Sequence, residues 1–396
     1  MSSRHATRLL LILGGIAFLV QGDNYAAAPL LIDIAEDLHL NISSAALSIS
    51  MYMIPFGVFT LLFGPLADRY GKAKVLNLAT FGTATFSILS ATAFDLLSLC
   101  VLRAINGALA AAVMPVSVSL VGDSFDDSTR QNALGAVIGM MFLGGAVAPA
   151  VGGALAFFGS WRLLYLTYGL AELVLAFIML RLLEKRPGTI STSNFLKVYR
   201  RAFANKDLIK TVSFLFFVGF AIFGSFAYSG KFIQIRLGYN TLAVGLLLSL
   251  FGLATSVVGP KAGTLKQKFG NKLLLFAGMI GGASWMTFSF WRSPMLIGFS
   301  LVGFGLAFII IQSTVIAKAQ QLMPEQRGTV MSLASFNMFM GGGVGTFLNG
   351  LILDALGFPL IFLSAGMLIF SVGLVLTLFL NKSSKWAMSR PEEVVV

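Results

Sequence analysis

Gly64-Pro65-Leu66-Ala67-Asp68-Arg69-Tyr70-Gly71-Lys72-Ala73-Lys74 lies between two long apolar runs. So polar a stretch cannot sit in hydrocarbon, because buried charges cost too much unless paired. It therefore marks a loop at a membrane surface. Its glycines let the chain turn sharply between helices. A carboxylate beside basic residues suits a latch to a neighbouring helix end, since acids are favoured at helix N-termini. A charged turn that merely obeys topology is the competing reading.

Composition agrees with a membrane setting. The 396 residues are 57% hydrophobic and 11% charged, with a mean hydropathy of +0.87. Soluble domains carry about 25% charged residues, so the chain is expected to be a polytopic membrane protein. The net charge of +12 does not point to nucleic acid, because the basic residues fall in short loops. Cys100 is the single cysteine, which excludes an intramolecular disulfide. His5 and His39 are far apart and build no metal cluster. No cofactor is implied. Arg4 and Arg8 before an apolar run imitate a signal peptide, but Ala26-Ala27-Ala28 leads into more membrane pattern. The run is read as an uncleaved first helix.

About 20 apolar residues span the hydrocarbon core. Twelve runs qualify: Leu9–Leu31, Ala45–Leu66, Val75–Ala93, Leu96–Val121, Asn132–Ala156, Trp161–Leu183, Leu208–Ser229, Leu242–Ala262, Leu273–Trp291, Met295–Ala317, Val330–Leu353 and Leu360–Leu380. One side holds Arg4, Arg8, Arg69, Lys72, Lys74, Arg130, the stretch from Arg181 to Lys210, Lys261 to Lys272, Lys318, Arg327 and the basic tail. The other side holds only Arg162, Lys231, Arg236 and Arg292. The basic side is expected to be cytoplasmic, with both termini inside. Glu184 to Asp207 is the long polar interruption. It divides the chain into an N-terminal six-helix bundle (1–183), a cytoplasmic linker (184–207) and a C-terminal six-helix bundle with a short tail (208–396). The second part of the linker is expected to form an amphipathic helix.

The halves read as a repeat. Gly64, Leu66 and Gly71 recur 199 residues later as Gly263, Leu265 and Gly270. Arg130, Gly144, Gly145 and Gly153 recur 197 residues later as Arg327, Gly341, Gly342 and Gly350. Two separate helices thus give nearly one period. Gln267 stands where the second half would repeat Asp68.

The opening stretch resembles the loop between the second and third helices of the major facilitator superfamily, G-x-L-a-D-r-x-G-r-k. It matches at Gly64, Leu66, Ala67, Asp68, Arg69, Gly71 and Lys72 and departs at Ala73. Gly144-Gly145-Ala146-Val147-Ala148-Pro149-Ala150-Val151-Gly152-Gly153 is similar to that family's antiporter signature, g-x-x-x-G-P-x-x-G-G, with Ala148 in place of a glycine. Ordinary tight packing of small residues competes with that reading. Arg103-Ala104-Ile105-Asn106-Gly107-Ala108-Leu109-Ala110-Ala111 is similar to the fourth-helix pattern R-x-x-q-G-x-g-a-a, with Asn106 for glutamine and Leu109 for a glycine. The resemblance implies an all-α protein of twelve transmembrane helices in two bundles related by a pseudo-two-fold axis, a secondary transporter working by alternating access. It implies an inner-membrane, proton-coupled efflux antiporter of amphipathic or drug-like molecules, expected as a monomer. The alternative is a dedicated exporter or flippase for one sugar, metal-chelating metabolite or lysolipid. No G-x-x-x-x-G-K-[ST] loop is present, which argues against ATP drive. A membrane-embedded enzyme would need a cluster of His, Asp or Glu, which the sequence lacks.

A charge inside a membrane helix costs about 3 kcal/mol or more unless paired or wet. Asp23 and Arg103 fall at matching depth, about 10 Å below the outer surface at 1.5 Å per residue. They are expected to pair and to respond to protons; a static salt bridge is the competing reading. Glu172 is a reserve proton site, with Tyr165 and Tyr168 at helical spacing before it; a protonated acid bonded to a neighbouring helix competes. Asp23, Met114, Phe216, Phe220, Phe223 and Gln312 are candidate substrate contacts, since aromatics and Met with a few polar groups suit an adaptable pocket. A lipid-facing Phe stripe is the simpler alternative.

Overall fold

The computed structural model describes residues 3–183 and 195–388. Residues 184–194, which hold most of the expected linker, and the last residues of the tail lie outside the described part. Helices α1 (Ser3–Asp37), α2 (Ile42–Tyr70), α3 (Lys72–Ser90), α4 (Leu96–Ala110), α5 (Val113–Ser124), α6 (Asp127–Phe158) and α7 (Trp161–Leu182) come first. Helix α8 (Phe195–Ala204) follows, on the expected amphipathic segment. Then come α9 (Lys206–Leu237), α10 (Thr241–Val258), α11 (Ala262–Phe269), α12 (Lys272–Phe288), α13 (Pro294–Leu322), α14 (Arg327–Leu356) and α15 (Phe358–Met388). No strand occurs among the described residues.

Side chains at the loops start these helices. Asn41, Asn205 and Asn240 accept from the backbone N–H three residues on, and Asp95 and Ser98 form a reciprocal capping box. Such caps satisfy donors that the first turn leaves open. Gly71 (φ +96°) and Gly270 (φ +61°) turn the chain in a region that other residues avoid. They are the two glycines that the sequence repeat aligns.

Ten helical stretches among the described residues are long and apolar enough to cross a membrane. The expectation was twelve. The shortfall has two sources. Helix α12, at 17 residues, is apolar but short. Helix α3, at 19 residues, carries Lys72, Lys74, Asn77, Thr80, Thr83 and Thr85, which dilute its apolar character. Boundaries also shift: α1 runs on to Asp37, six residues past the expected end, and the run over Leu96–Val121 is broken at Ala111-Ala112 into α4 and α5.

Within residues 3–183, α1 packs on α6, α2 on α4 and α3 on α7; within residues 206–388, α9 packs on α14, α10 on α13 and α12 on α15. The same pattern of partners thus occurs twice. The two sets meet where α2 lies on α14, α6 on α10 and α1 on α9. These seams are backbone against backbone. A Cβ added at Gly245 would stand 2.2 Å from the Pro149 carbonyl oxygen, and one at Gly252 would stand 2.2 Å from Ala146 Cα. Polar bonds close the seams at the end away from Gly64–Lys74. Ser43 Oγ lies 2.7 and 2.8 Å from the two Asp354 carboxylate oxygens, and Thr241 Oγ1 lies 3.3 Å from Asp33. Toward the Gly64–Lys74 end Ser256 Oγ of α10 still donates to the Phe142 carbonyl of α6 at 3.1 Å, while Gly135 and Gly139 of α6 have nothing within 4 Å of an added Cβ.

Overpacking a tight contact costs about 1–3 kcal/mol. Gly252→Ala is therefore expected to lower the thermal unfolding midpoint of the protein in nanodiscs. Gly64→Ala, with nothing within 4 Å of the new methyl, is expected to leave it unchanged or raise it, because alanine is the better helix former. Equal midpoints for the two variants would show that α6 and α10 do not meet through their backbones.

Candidate functional site

A buried polar cluster lies within the first set of helices. Arg103 of α4 donates from Nη1 to Asp23 Oδ2 of α1 at 2.6 Å. Asp23 is 2% exposed and Arg103 1%. The guanidinium lies 4.4 Å from the Tyr52 ring centroid and 4.9 Å from that of Tyr165. A cation over an aromatic face gains more when water is excluded, as it is here. Asp23 Oδ1 has no hydrogen-bond partner. The pair predicted from sequence is thus formed, although the depth argument changes: with α1 ending at Asp37, Asp23 lies 14 residues from that end, about 21 Å of helix.

Glu172 belongs to the same neighbourhood. It is 2% exposed, has the Thr83 hydroxyl beside it and leaves Oε2 unpartnered. Helix α7 brings Tyr165 against Arg103 and Tyr168 against Gly22. Asn106, one turn below Arg103, donates to the Thr83 carbonyl at 2.9 Å. Five helices, α1, α2, α3, α4 and α7, therefore supply one water-poor network. Tyr52, Thr83 and Asn106 were not singled out for it from sequence. Their only signal was a polar group on a helix already holding a charge or packed beside one.

The Gly64–Lys74 stretch, expected as a loop, is helical except at Gly71, where α2 gives way to α3, and it is anchored differently from the expected latch. Asp68 is exposed and its ion partner is Lys72, 3.9 Å away across Gly71 at the start of α3. Lys72 makes its close contact, 2.6 Å, with Asp123 at the end of α5. Arg69 stacks on Tyr70. The loop is thus tied within its own set, and among the described residues Asp68 makes no hydrogen bond to another helix end. Asp123 is the partner that sequence reading missed, an acid in a short polar stretch with nothing to mark its mate.

The Gly144–Gly153 stretch of α6 is a two-sided packing surface. A Cβ at Gly144 would meet the Phe18 carbonyl oxygen at 2.2 Å, and one at Gly152 the Ala26 oxygen at 2.8 Å, both on α1. A Cβ at Gly153 would meet the Thr241 oxygen at 2.4 Å on α10. Ala148 is fully buried. Pro149 places its carbonyl against Gly245, and the Ala150 N–H donates to Ser249 Oγ at 3.1 Å. The stretch lets α6 touch both sets at once.

Between the sets lies a small cavity lined by Asn24, Tyr25, Ala28, Ile49, Met53, Phe223, Phe226 and Ala227. Of the six expected substrate contacts only Phe223 lines it. Phe216 and Phe220 turn their backbones to Gly341 and Gly345 of α14. Gln312 of α13 donates to Met338 Sδ at 3.3 Å. Met114 is partly buried in the general core, and Asp23 is engaged by Arg103. Asn24 was passed over because it directly follows the more conspicuous Asp23.

These features define a polytopic, all-helical membrane protein with buried charges inside its first helix set and a small cavity at the junction of the two sets. A profile of the Major Facilitator Superfamily matches residues 13–346, and the chain belongs to that family. It is a transporter and not an enzyme. It is 24% identical over 345 residues to the uncharacterized MFS-type transporter YceJ of Bacillus subtilis (strain 168), covering 85% of this chain and 86% of that one. It is 26% identical over 392 residues to the multidrug transporter TPO1_1 of Candida glabrata, covering 81% and 69%. Its fold is similar to the inward-facing, occupied structure of a bacterial homolog of the human lysosomal transporter Spinster: TM-score 0.77, 16% identity, covering 97% and 98% of the two chains.

Removing one partner of a buried ion pair costs about 3–5 kcal/mol, because the other charge is left uncompensated. Asp23→Asn and Arg103→Gln are each expected to destabilise on that scale. The double variant is expected to lose at least 1 kcal/mol less than the two single losses combined. Denaturant unfolding of all four proteins measures this; additive losses would mean that the two groups do not interact.

Proposed function

We propose that this transporter is a proton-coupled antiporter that exports amphipathic, drug-like small molecules by alternating access. The observation that carries the proposal is the Asp23–Arg103 pair. It is buried, lies on α1, which also contacts the second set through α9, and leaves one carboxylate oxygen unpartnered. Protonating Asp23 would remove its charge and release Arg103, whose remaining neighbours include the Tyr52 and Tyr165 rings and the Glu172 carboxyl. That changes the packing between α1 and α4, and with it the balance between states open to either side. A ligand shifts such a balance only by binding the two states differently; a proton does so when one state exposes Asp23 and the other seals it. Glu172 is the second proton group in this reading.

The twice-repeated helix pairing supports two six-helix bundles, residues 1–183 and 208–396, related by a pseudo-two-fold axis and joined by a linker over 184–207. The basic end is taken as cytoplasmic, which puts both termini inside the inner membrane's cytoplasmic face. The seam closed by Ser43–Asp354 and Thr241–Asp33 then lies on the outer side. Gly144 and Gly152 face α1 while Gly153 and the Pro149 carbonyl face α10, so that, with Ala148, they serve as the hinge-side surface along which α6 moves against both helices. Gly64, Asp68, Arg69, Gly71 and Lys72 form the inner gating loop. The similarity to a protein named as a multidrug transporter supports export of unrelated compounds.

The test is accumulation of lipophilic cations, anions and neutral compounds in everted vesicles, with and without an imposed pH gradient. Several unrelated compounds are expected to accumulate only with the gradient. Asp23→Asn is expected to abolish gradient-driven accumulation while retaining exchange of labelled substrate at equal pH, which a merely misfolded variant would also lose. Full gradient-driven accumulation in Asp23→Asn would remove the coupling role. Transport of one compound alone would indicate the dedicated exporter.

A further inference from the structure

We propose that Asn24 is the polar anchor for the transported molecule, and that the site it serves selects an uncharged amphipath bearing a hydroxyl or amide group. The inference rests on the transport reading above and names the chemistry of its site.

Asp23 and Asn24 are consecutive on α1 and so point about 100° apart. Asp23 turns into the first set and meets Arg103. Asn24 turns toward the junction of the sets, where α1, α2 and α9 enclose the small cavity. Asn24 is 7% exposed, and neither its Nδ2 nor its Oδ1 has a hydrogen-bond partner. A buried donor and a buried acceptor left open are costly, so the arrangement calls for an occupant. That occupant must both accept and donate. A hydroxyl or a carboxamide does so; an ether or an ammonium group does only one.

The other lining groups set the rest of the chemistry. Tyr25 presents its ring near those of Phe223 and Phe226, with centroids 5.7 and 6.1 Å apart. Met53, an adaptable side chain, closes one wall. No lining residue is charged. The nearest acid along α1, Asp23, is already neutralised by Arg103. A bound cation would therefore be desolvated without a counter-charge, which is costly. In its present closed form the cavity has room for about one water. Because its walls come from both sets of helices, separation of α9 from α1 and α2 enlarges it, and the amide becomes the polar point on an otherwise apolar wall.

The test uses the full chain in nanodiscs and four matched probes: 4-phenylbutan-1-ol, 4-phenylbutanamide, the methyl ether of the alcohol, and 4-phenylbutylammonium. Binding is measured by calorimetry, with protein-free nanodiscs as the blank for lipid partitioning. The alcohol and the amide are expected to bind at least tenfold more tightly than the ether and the ammonium. Asn24→Leu is expected to erase that difference by weakening the first two and leaving the ether within twofold. Asn24→Asp is expected to turn the preference toward the ammonium.

Equal binding of ammonium and alcohol to the native chain overturns the proposal, as does absence of binding by all four. So does an alcohol affinity unchanged in Asn24→Leu, the result of a cavity that holds water only. The probe ranking on the native protein stands even if a variant fails to fold. The two readings fail separately: the predicted ranking without gradient-driven accumulation in vesicles would sink antiport and keep the site, and the converse would sink the site alone.

Discussion

Backbone contact through glycine is the constraint on which the rest of the structure depends. In lipid, helices gain nothing from hiding apolar surface from one another, so close approach and interhelical polar bonds must hold them. This chain uses both at the same places. Gly153 and Gly245 let α6 and α10 touch, and Ser249 bonds across the same seam. Gly341 and Gly345 bring α14 against α9, and Tyr228 of α9 donates to the carbonyl of Thr346, the residue after Gly345. A side chain at any of these glycines would move whole helices, and with them the spacing of every group carried between them.

The buried charges are affordable only inside that frame. Arg103 is held by a carboxylate on one side and two tyrosine rings on the others. Gly107 fixes the distance of α4 from α2, since a Cβ there would stand 2.1 Å from the Tyr52 carbonyl oxygen. The same residue that carries this carbonyl supplies one of the rings over Arg103. Packing and electrostatics are therefore set by one contact, and a change in helix spacing is also a change in how well the charge is solvated.

The sequence made the helices legible because hydropathy in a membrane chain leaves little choice: long apolar runs between charged loops must be helical, and each expected run falls largely on helix. It also made Asp23 and Arg103 legible, since a charge in hydrocarbon demands a partner and few were on offer. What it did not reveal were interactions with no such scarcity. Lys72 had several acids within reach in sequence and chose Asp123. The Phe stripe of α9 was read as one surface, yet helix geometry divides it: Phe223 faces the cavity while Phe216 and Phe220 lie along α14. Asn24 was hidden because a carboxamide is tolerated where a charge is not, so its burial could be learned only from the packing of three helices.

Helix α8 adds a consequence for how the chain holds together. Tyr199 donates to the Leu61 carbonyl of α2 at 2.9 Å, Asn205 just beyond α8 reaches the Leu322 carbonyl of α13 at 3.4 Å, and Ala202 packs with Leu208, Val330 and Leu333. The segment is thus seated on both sets by contacts of its own. A chain cut between residues 183 and 195 would leave α8 covalently joined to α9 and still docked on α2, so the two fragments retain a built-in means of recognising each other.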